Sequence, residues 1–177
     1  MLNFLHNFLP DPILFHWGFL TVHWYGVLVV AGIIAGLLLV LRLAKQFNIK
    51  SDEVYDLAFY LIIFSLLGAR LYAVLLEWPY YLKNPGEIIA VWHGGLAIHG
   101  AIIGGLLTLV VYCRLASLRG RSGRKKQNFW QWADLIAVAI PLGQAIGRWG
   151  NYFNQELFGR PTSLPWGIPI LRQNRPV

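Results

Sequence analysis

The chain has 177 residues, of which 56% are hydrophobic and only 13% are charged, and its formal net charge is +7. Soluble domains contain about 25% charged residues, and a soluble domain of this size could not bury so large an apolar fraction in one core. The composition therefore excludes an ordinary soluble domain and indicates a protein that lies in a bilayer. The positive charge does not indicate nucleic-acid binding, because the basic residues lie between apolar runs rather than on one polar face.

Four apolar segments are long enough to cross the hydrocarbon core of a membrane, which takes about 20 helical residues. In chain order, they are residues 20–41, 55–76, 88–113 and 129–149. Trp17, Phe19 and Trp24 precede or begin the first span, as aromatic residues do at a membrane interface. Pro141 lies inside the fourth span, where we expect a kink. The predicted fold is an all-α polytopic membrane protein that forms a single membrane domain over residues 1–177.

Basic residues set the predicted orientation of these spans. Lysine and arginine are concentrated in residues 42–50 and 114–126, whereas residues 77–87 contain one lysine and two glutamates. Because lysine and arginine accumulate in cytoplasmic loops, we expect the two basic loops to be inside. The N-terminus, the loop 77–87 and residues 147–160 are then predicted to be outside.

Glycines recur at a four-residue spacing in three of the predicted spans. The pairs are Gly32 with Gly36, Gly100 with Gly104, and Gly143 with Gly147. Small residues at this spacing let two helices approach closely in lipid. We therefore expect these glycines to lie at helix–helix contacts.

His99 is the first candidate for chemistry. It lies in the run HGGLAIHG, which places it well inside the third span, about 15 Å along the helix from its outer end. An ionisable group inside a membrane is a functional candidate, and histidine can act as a general base. The alternative is a packed histidine, but Gly94, Gly95 and Gly100 leave space around the ring. His93 is six residues away, whereas a helical two-histidine metal site prefers three or four, so we predict no metal.

A second polar cluster lies in GRWGNYFNQELFGR, at the outer end of the fourth span. Arg148 carries a guanidinium whose fork matches two phosphate oxygens. Three-residue spacing on a helix places Asn151 on the same face, and Asn154 and Glu156 follow within two turns. The alternative is an arginine that extends to the interface beside a polar helix end. The density of polar residues and the interspersed glycines, among them Gly159, favour a phosphate site.

Three other polar residues lie in or near the spans. Tyr25, near the outer end of the first span, fits an aromatic belt and a substrate role equally well. Arg70, in GARLY of the second span, could reach the interface, pair with Glu77 or face the same cavity as His99. Asp134, near the inner start of the fourth span, suits a helix N-terminus and is interpreted as structural. Together the polar residues predict a cavity that is open to the outer leaflet and contains a candidate base and a candidate phosphate-binding arginine.

HGGLAIHGAIIGG and GRWGNYFNQELFGRP resemble the prolipoprotein diacylglyceryl transferase family. The second stretch is similar to that family's signature, of the form G-R-x-G-N-[FY]-x-N-x-E-x-x-G. HWYG at residues 23–26 and GARLY at residues 68–72 extend the resemblance over nearly the whole chain. The resemblance implies a multi-pass protein of the bacterial plasma (inner) membrane, with its active site toward the outer face.

The resemblance also implies an activity. Such enzymes move a diacylglyceryl group from phosphatidylglycerol to the lipobox cysteine thiol of a prolipoprotein, the first step of bacterial lipoprotein maturation, and release glycerol-1-phosphate. It implies no cofactor, and its partners would be phosphatidylglycerol, the prolipoprotein signal peptide and membrane lipids. The catalytic residues that it implies are His99 and Tyr25. The residues assigned to phosphatidylglycerol binding are Arg148, Asn151, Asn154, Glu156, Gly159 and Arg70.

Members of this family are typically longer, with seven spans and with further functional residues, including another arginine, beyond the signature. We therefore expect about four of the seven helices in this chain, which would be the N-terminal part of a longer fold. One alternative function is an inactive or split fragment with the same fold, and another is a different lipid-headgroup enzyme. A third is a small transporter or channel subunit, which His99 and Arg70 inside spans and the glycine-rich helices would suit. The sequence shows no inverted repeat to support it.

Overall fold

The computed structural model describes residues 10–18, 20–118, 128–157, 159–164 and 167–171. Within these ranges the chain forms five α-helices and one two-stranded antiparallel sheet. The helices are α1 (Trp24–Ala44), α2 (Ser51–Leu76), α3 (Trp78–Lys83), α4 (Ile98–Leu118) and α5 (Phe129–Asn154). The strands are β1 (Ile13–Trp17) and β2 (Leu20–His23). The predicted, mainly helical fold class is confirmed, and the small sheet is an addition to it.

Three of these helices are long and apolar enough to cross a membrane. They cover Trp24–Phe47, Ser51–Leu76 and Ile98–Leu115. Most of their apolar side chains are exposed, as expected for helices that lipid surrounds. The chain is therefore a polytopic membrane protein. Helix α5 is long enough at 26 residues but is not among the three, because its polar residues lower its hydropathy, so the fourth span stays a prediction.

The short sheet explains why the first span begins later than predicted. Residues 20–23 form β2 and not helix, and β2 pairs with β1 in an antiparallel hairpin. The hairpin turns at Gly18, whose φ of 59° lies in the left-handed region that glycine adopts without a steric penalty. Trp24 then donates its main-chain N–H to the carbonyl of Pro12 at 3.0 Å, which ties the start of α1 to the hairpin. The predicted belt residue Phe19 lies outside the described residues, as do residues 119–126 of the second basic loop.

The prediction of a continuous third span over residues 88–113 is wrong at its start. Helix α4 begins at Ile98, and the preceding segment consists of short 3-10 turns at Pro85–Ile88 and Val91–His93. Gly94 and Gly95 follow with φ angles of 91° and 69°, which no α-helix contains. His99 therefore lies in the first turn of a helix and not deep within one.

The described residues form two compact units, one within Met1–Leu39 together with Val138–Val177, and the other within Val40–Ala137. The second unit depends on close contact between α2 and α4. A Cβ atom on Gly100 would overlap the carbonyl oxygen of Gly68, and one on Gly104 would overlap that of Phe64. The two backbones thus touch directly, which only glycine allows.

The first unit contains a similar contact between α1 and α5. A Cβ on Gly32 would lie 3.2 Å from the carbonyl oxygen of Gly143, and a Cβ on Gly36 would lie 3.6 Å from the Cβ of Ala139. The predicted packing role is confirmed for these glycines and for the Gly100 pair. It is wrong for Gly147, since no atom of the described residues lies within 4 Å of a Cβ added there. Pro141 lies within α5, which remains one helix from Phe129 to Asn154.

We expect Gly104→Ala to destabilise the second unit, because the new methyl group meets the main chain of Phe64, which cannot move aside. Overpacking of this kind costs about 1–3 kcal/mol. The measurement is the thermal unfolding midpoint of the purified chain in detergent. Gly86→Ala is the control, since Gly86 has open space around it. Equal midpoints for the two variants would contradict the direct backbone contact.

Candidate functional site

His99 is exposed at the beginning of α4, in the second unit. Its ring stacks against that of Tyr72 of α2, with centroids 5.9 Å apart and planes inclined by 29°. The next residue, Gly100, is buried against Gly68. The turn that carries His99 is thus fixed to α2 on one side, while its imidazole ring remains accessible to accept or donate a proton.

Arg70 lies on α2 with a side chain that is only 7% exposed. Its five N–H groups all donate to main-chain carbonyl oxygens and not to Glu77. Nε bonds to Ile88 at 2.9 Å, Nη1 to Gly94 and Gly95 at 2.5 and 2.8 Å, and Nη2 to Ala90 at 3.3 Å and to Glu87. An arginine has five such donors, so none is left for a phosphate oxygen in this arrangement. The geometry does not favour headgroup binding by Arg70, which stays a prediction.

Tyr81 is a residue of this region that the sequence analysis missed. Its buried ring lies 5.3 Å from the guanidinium carbon of Arg70, within the range of a cation–π interaction. Tyr81 belongs to the aromatic run of α3, and nothing in the spacing of that run marks it as the partner of a buried arginine. Nδ1 of His93 forms an exposed hydrogen bond with Oε2 of Glu87 at 2.8 Å. Among the described residues, no group of three or more potential metal ligands occurs.

Tyr25 packs against α5, within the first unit. A Cβ on Gly150 would lie 2.8 Å from Cδ2 of Tyr25 and 3.3 Å from its Cα, so the absence of a side chain at Gly150 makes room for the tyrosine. Trp24 stacks on Phe153 of α5, with ring centroids 4.7 Å apart. Gly150 lies between Arg148 and Asn151 in the sequence. Tyr25 therefore lies beside the helical turn that carries both of these predicted site residues.

The amide groups of Asn151 and Asn154 converge on one carboxylate. Oε1 of Glu156 accepts Nδ2 of Asn151 at 3.0 Å and Nδ2 of Asn154 at 3.2 Å. The helix ends here, and Gln155 and Leu157 adopt left-handed φ angles of 52°. Three of the predicted site residues thus form one hydrogen-bonded cluster at the end of α5.

Arg148 stands apart from this cluster. It is exposed on α5, and among the described residues none forms a hydrogen bond or ion pair with its guanidinium. The carboxylate of Glu156 is already shared by the two asparagines. Gly159 lies beyond the end of the helix, with nothing within 4 Å of an added Cβ. The fork of Arg148 is therefore free to bind an external anion such as a phosphate.

Gln155 is a second residue that the sequence analysis missed. Its side chain is buried, and Oε1 accepts the main-chain N–H of Leu171 at 3.0 Å. This bond holds the segment that follows the polar cluster against the end of α5. In the sequence Gln155 lies between Asn154 and Glu156, and its polar character alone does not distinguish it from these neighbours.

A sequence model of the family described as prolipoprotein diacylglyceryl transferase matches residues 12–176. The chain belongs to the prolipoprotein diacylglyceryl transferase family. The match covers the residues around His99 and those at the end of α5. It confirms the family that HGGLAIHGAIIGG and GRWGNYFNQELFGRP predict.

Individual members of this family are also similar to the chain. Proteins named phosphatidylglycerol–prolipoprotein diacylglyceryl transferase match the chain at 47% identity in Acaryochloris marina, 46% in Trichormus variabilis and 42% in Synechocystis sp.. The alignments cover 95%, 94% and 95% of this chain, respectively, but only 58%, 56% and 56% of the relatives. The chain thus spans little more than half the length of these relatives.

We expect Glu156→Ala to loosen the end of α5, because Asn151 and Asn154 both lose their shared acceptor. The loss of an exposed, charge-assisted bond is worth about 1 kcal/mol, so amide hydrogen exchange over residues 151–157 should become roughly fivefold faster. Mass spectrometry of the exchanged peptides measures this. Glu156→Gln keeps one carbonyl acceptor and should remain close to the wild type. Unchanged exchange in the alanine variant would show that the cluster does not stabilise the helix end.

Proposed function

We propose that this chain is part of a phosphatidylglycerol–prolipoprotein diacylglyceryl transferase. It would provide the residue that binds the lipid phosphate and the residue that accepts the proton of the thiol. The observation that carries the proposal is the exposed guanidinium of Arg148, which has no hydrogen-bond or ion-pair partner among the described residues and lies next to Gly150, against which Tyr25 packs. Support also comes from the names of the relatives, which are 42–47% identical over most of this chain. The substrates would be phosphatidylglycerol and the cysteine thiol of a prolipoprotein signal peptide with a lipobox.

The proposed reaction exchanges one ester bond for one thioether. The thiol loses its proton, and the sulfur attacks the glyceryl carbon that phosphatidylglycerol bonds to its phosphate oxygen. A carbon–sulfur bond forms, the carbon–oxygen bond breaks, and glycerol-1-phosphate leaves with the bonding electrons. A thiol is a weak nucleophile until it is deprotonated, and the leaving phosphate gains negative charge as the bond breaks. The reaction therefore needs a base at the sulfur and a cation at the phosphate.

Arg148 is proposed to bind the phosphate. A planar guanidinium can donate two parallel hydrogen bonds to phosphate oxygens, and a fixed cation stabilises the charge that develops on the leaving group. Asn151 and Tyr25 border the same turn of α5 and would orient the headgroup. Glu156 and Asn154 would hold Asn151 in place through the shared carboxylate.

His99 is proposed to take the proton from the cysteine thiol. The first turn of α4 holds it against Tyr72 with the ring exposed, so its nitrogen atoms are accessible to a peptide substrate. General-base catalysis by a positioned histidine contributes about 10²- to 10⁴-fold to a rate. No metal or organic cofactor enters the proposed mechanism.

The proposed location is the bacterial plasma (inner) membrane, with both clusters toward its outer face. The basic residues between α1 and α2 and after α4 support this orientation, since they would lie on the cytoplasmic side. The ends of α2 and α5 that carry Arg70 and Arg148 then face the compartment in which secreted prolipoproteins emerge.

The chain reconstituted in liposomes that contain phosphatidylglycerol should transfer a diacylglyceryl group to the cysteine of a lipobox peptide. The increase in peptide mass measures the transfer directly. His99→Ala should lower kcat about 10²- to 10⁴-fold by removing the base. Arg148→Ala should lower it about 10²- to 10³-fold by removing charge stabilisation.

The absence of an adduct from folded, inserted chain would contradict transfer by this chain alone. The same assay is then repeated with the C-terminal part of the Acaryochloris marina relative, the part that the alignment does not cover. Transfer that appears only in the mixture, and disappears with His99→Ala, would assign this chain to one part of a two-part enzyme. No transfer in either assay would refute the proposed function.

Binding of phosphatidylglycerol tests the role of Arg148 separately from catalysis. Arg148→Ala should weaken the binding of short-chain phosphatidylglycerol in detergent about tenfold or more, because a hydrogen bond to a charged group is worth about 1.5–3 kcal/mol. Calorimetric titration measures the affinity. Arg42→Ala, at an exposed arginine in the last turn of α1, is the matched control. Equal affinities for the two variants would refute the phosphate contact.

A further inference from the structure

Arg70 organises the irregular backbone that leads into α4. The five carbonyl groups that it binds belong to residues from Glu87 to Gly95, a stretch of short 3-10 turns and irregular backbone. We call this stretch, residues 87–97, the α4 lead. A main-chain carbonyl group that is buried without a partner is costly. The carbonyl groups of Glu87 and Ala90 also accept main-chain N–H groups. One guanidinium thus joins these two to the carbonyl groups of Ile88, Gly94 and Gly95 and fixes the path of the α4 lead.

The surroundings of Arg70 are built to hold it. The ring of Tyr81 lies under the guanidinium at 5.3 Å. At Gly95 an added Cβ would lie 2.6 Å from Nη1 of Arg70 and 2.9 Å from the hydroxyl of Tyr81, so no side chain fits there. Gly95 also has a φ of 69°, which other residues rarely adopt. Position 95 is therefore restricted both by its backbone angle and by the arginine.

The α4 lead ends two residues before His99, the candidate base. Ala97 donates its N–H to the carbonyl of Ala69 at 3.1 Å, one residue before Arg70 on α2. His99 follows two residues later and stacks on Tyr72, which is two residues after Arg70. The same two turns of α2 thus hold the lead, the start of α4 and the ring of His99.

We propose that Arg70 is a positioning residue for His99 and not a ligand of the lipid headgroup. It acts through the carbonyl groups of the α4 lead, which determine where α4 begins and where the imidazole ring lies. This inference rests on the proposed function of His99 as proton acceptor. It extends that function, because it assigns Arg70 to the positioning of the base rather than to phosphate binding.

The first test compares Arg70→Lys with Arg42→Lys in the full chain. A lysine ammonium has three donors and no planar fork, so it cannot serve five carbonyl groups. Amide hydrogen exchange over the α4 lead should become at least tenfold faster in Arg70→Lys. It should stay within twofold of the wild type in Arg42→Lys, which makes the same chemical change at an exposed arginine.

The second measurement reports on His99 itself. Modification by diethyl pyrocarbonate, followed at each histidine by mass spectrometry over a range of pH, gives a rate profile for His99. In Arg70→Lys the rate at His99 should change at least threefold and its pH profile should shift. The exposed His23, in the other unit, serves as an internal reference and should be unchanged.

Gly95→Ala provides an independent variant that leaves the charge of Arg70 intact. Its methyl group would push against Nη1 and disturb the α4 lead, so both measurements should change as in Arg70→Lys. This variant decides the question if Arg70→Lys fails to fold. Normal exchange and normal His99 modification in a folded Gly95→Ala protein would refute action through the α4 lead.

Headgroup binding by Arg70 would give the opposite pattern. Affinity for short-chain phosphatidylglycerol would fall at least tenfold in Arg70→Lys, while exchange in the α4 lead and modification of His99 stayed normal. The inference predicts an affinity within twofold of the wild type and, where transfer is measured, a lower kcat at an unchanged KM for the lipid. The absence of transfer in both assays would refute the proposed function without deciding this inference, since exchange and modification still test the coupling of Arg70 to His99.

Discussion

Direct contact between the backbones of α2 and α4 is the constraint on which the second unit depends. Gly68, Gly100 and Gly104 bring the two helices so close that a single methyl group would overlap a carbonyl oxygen. Helices in lipid gain no hydrophobic energy by associating, so they rely on such close packing. The contact also has a chemical consequence. It places the first turn of α4, which carries His99, against the part of α2 that carries Arg70 and Tyr72.

Arg70 and Arg148, one in each compact unit, differ in how their guanidinium groups are paired. A guanidinium in or near a bilayer must find partners, because its desolvation is expensive. Arg70 is buried and all five of its N–H groups meet main-chain carbonyl groups. Arg148 is exposed and has no such partner among the described residues, while the neighbouring carboxylate of Glu156 is shared by two asparagines. The pairing of Arg70 suits a role in holding the main chain, and the exposure of Arg148 suits the binding of an anion.

Much of this arrangement could be predicted from the sequence, because hydropathy and short motifs are local properties. The presence of α1 and α2, the packing of Gly32, Gly36, Gly100 and Gly104, and the polar cluster around Asn151 all follow from patterns within a few residues, although α1 begins at Trp24 rather than residue 20 and α2 at Ser51 rather than residue 55. The start of α4 could not be predicted in this way. Residues 88–97 are apolar enough to resemble a helix, and their non-helical path depends on Arg70, which lies 17 or more residues earlier. The roles of Tyr81 and Gln155 likewise depend on partners distant in the sequence.

The bonds between Arg70 and the α4 lead also bear on how the protein is made. Helix α2 precedes the lead in the chain, so the guanidinium has already been synthesised when the carbonyl groups of residues 87–95 leave the ribosome. These bonds join elements separated by at most 25 residues, which keeps the entropic cost of closing the loop small. The helical hairpin of α2 and α4 can therefore complete its own polar pairing during translation, before α5 is made. The start of α5 then packs against this pair, with the ring of Trp132 at 6.2 Å from that of Tyr112 of α4.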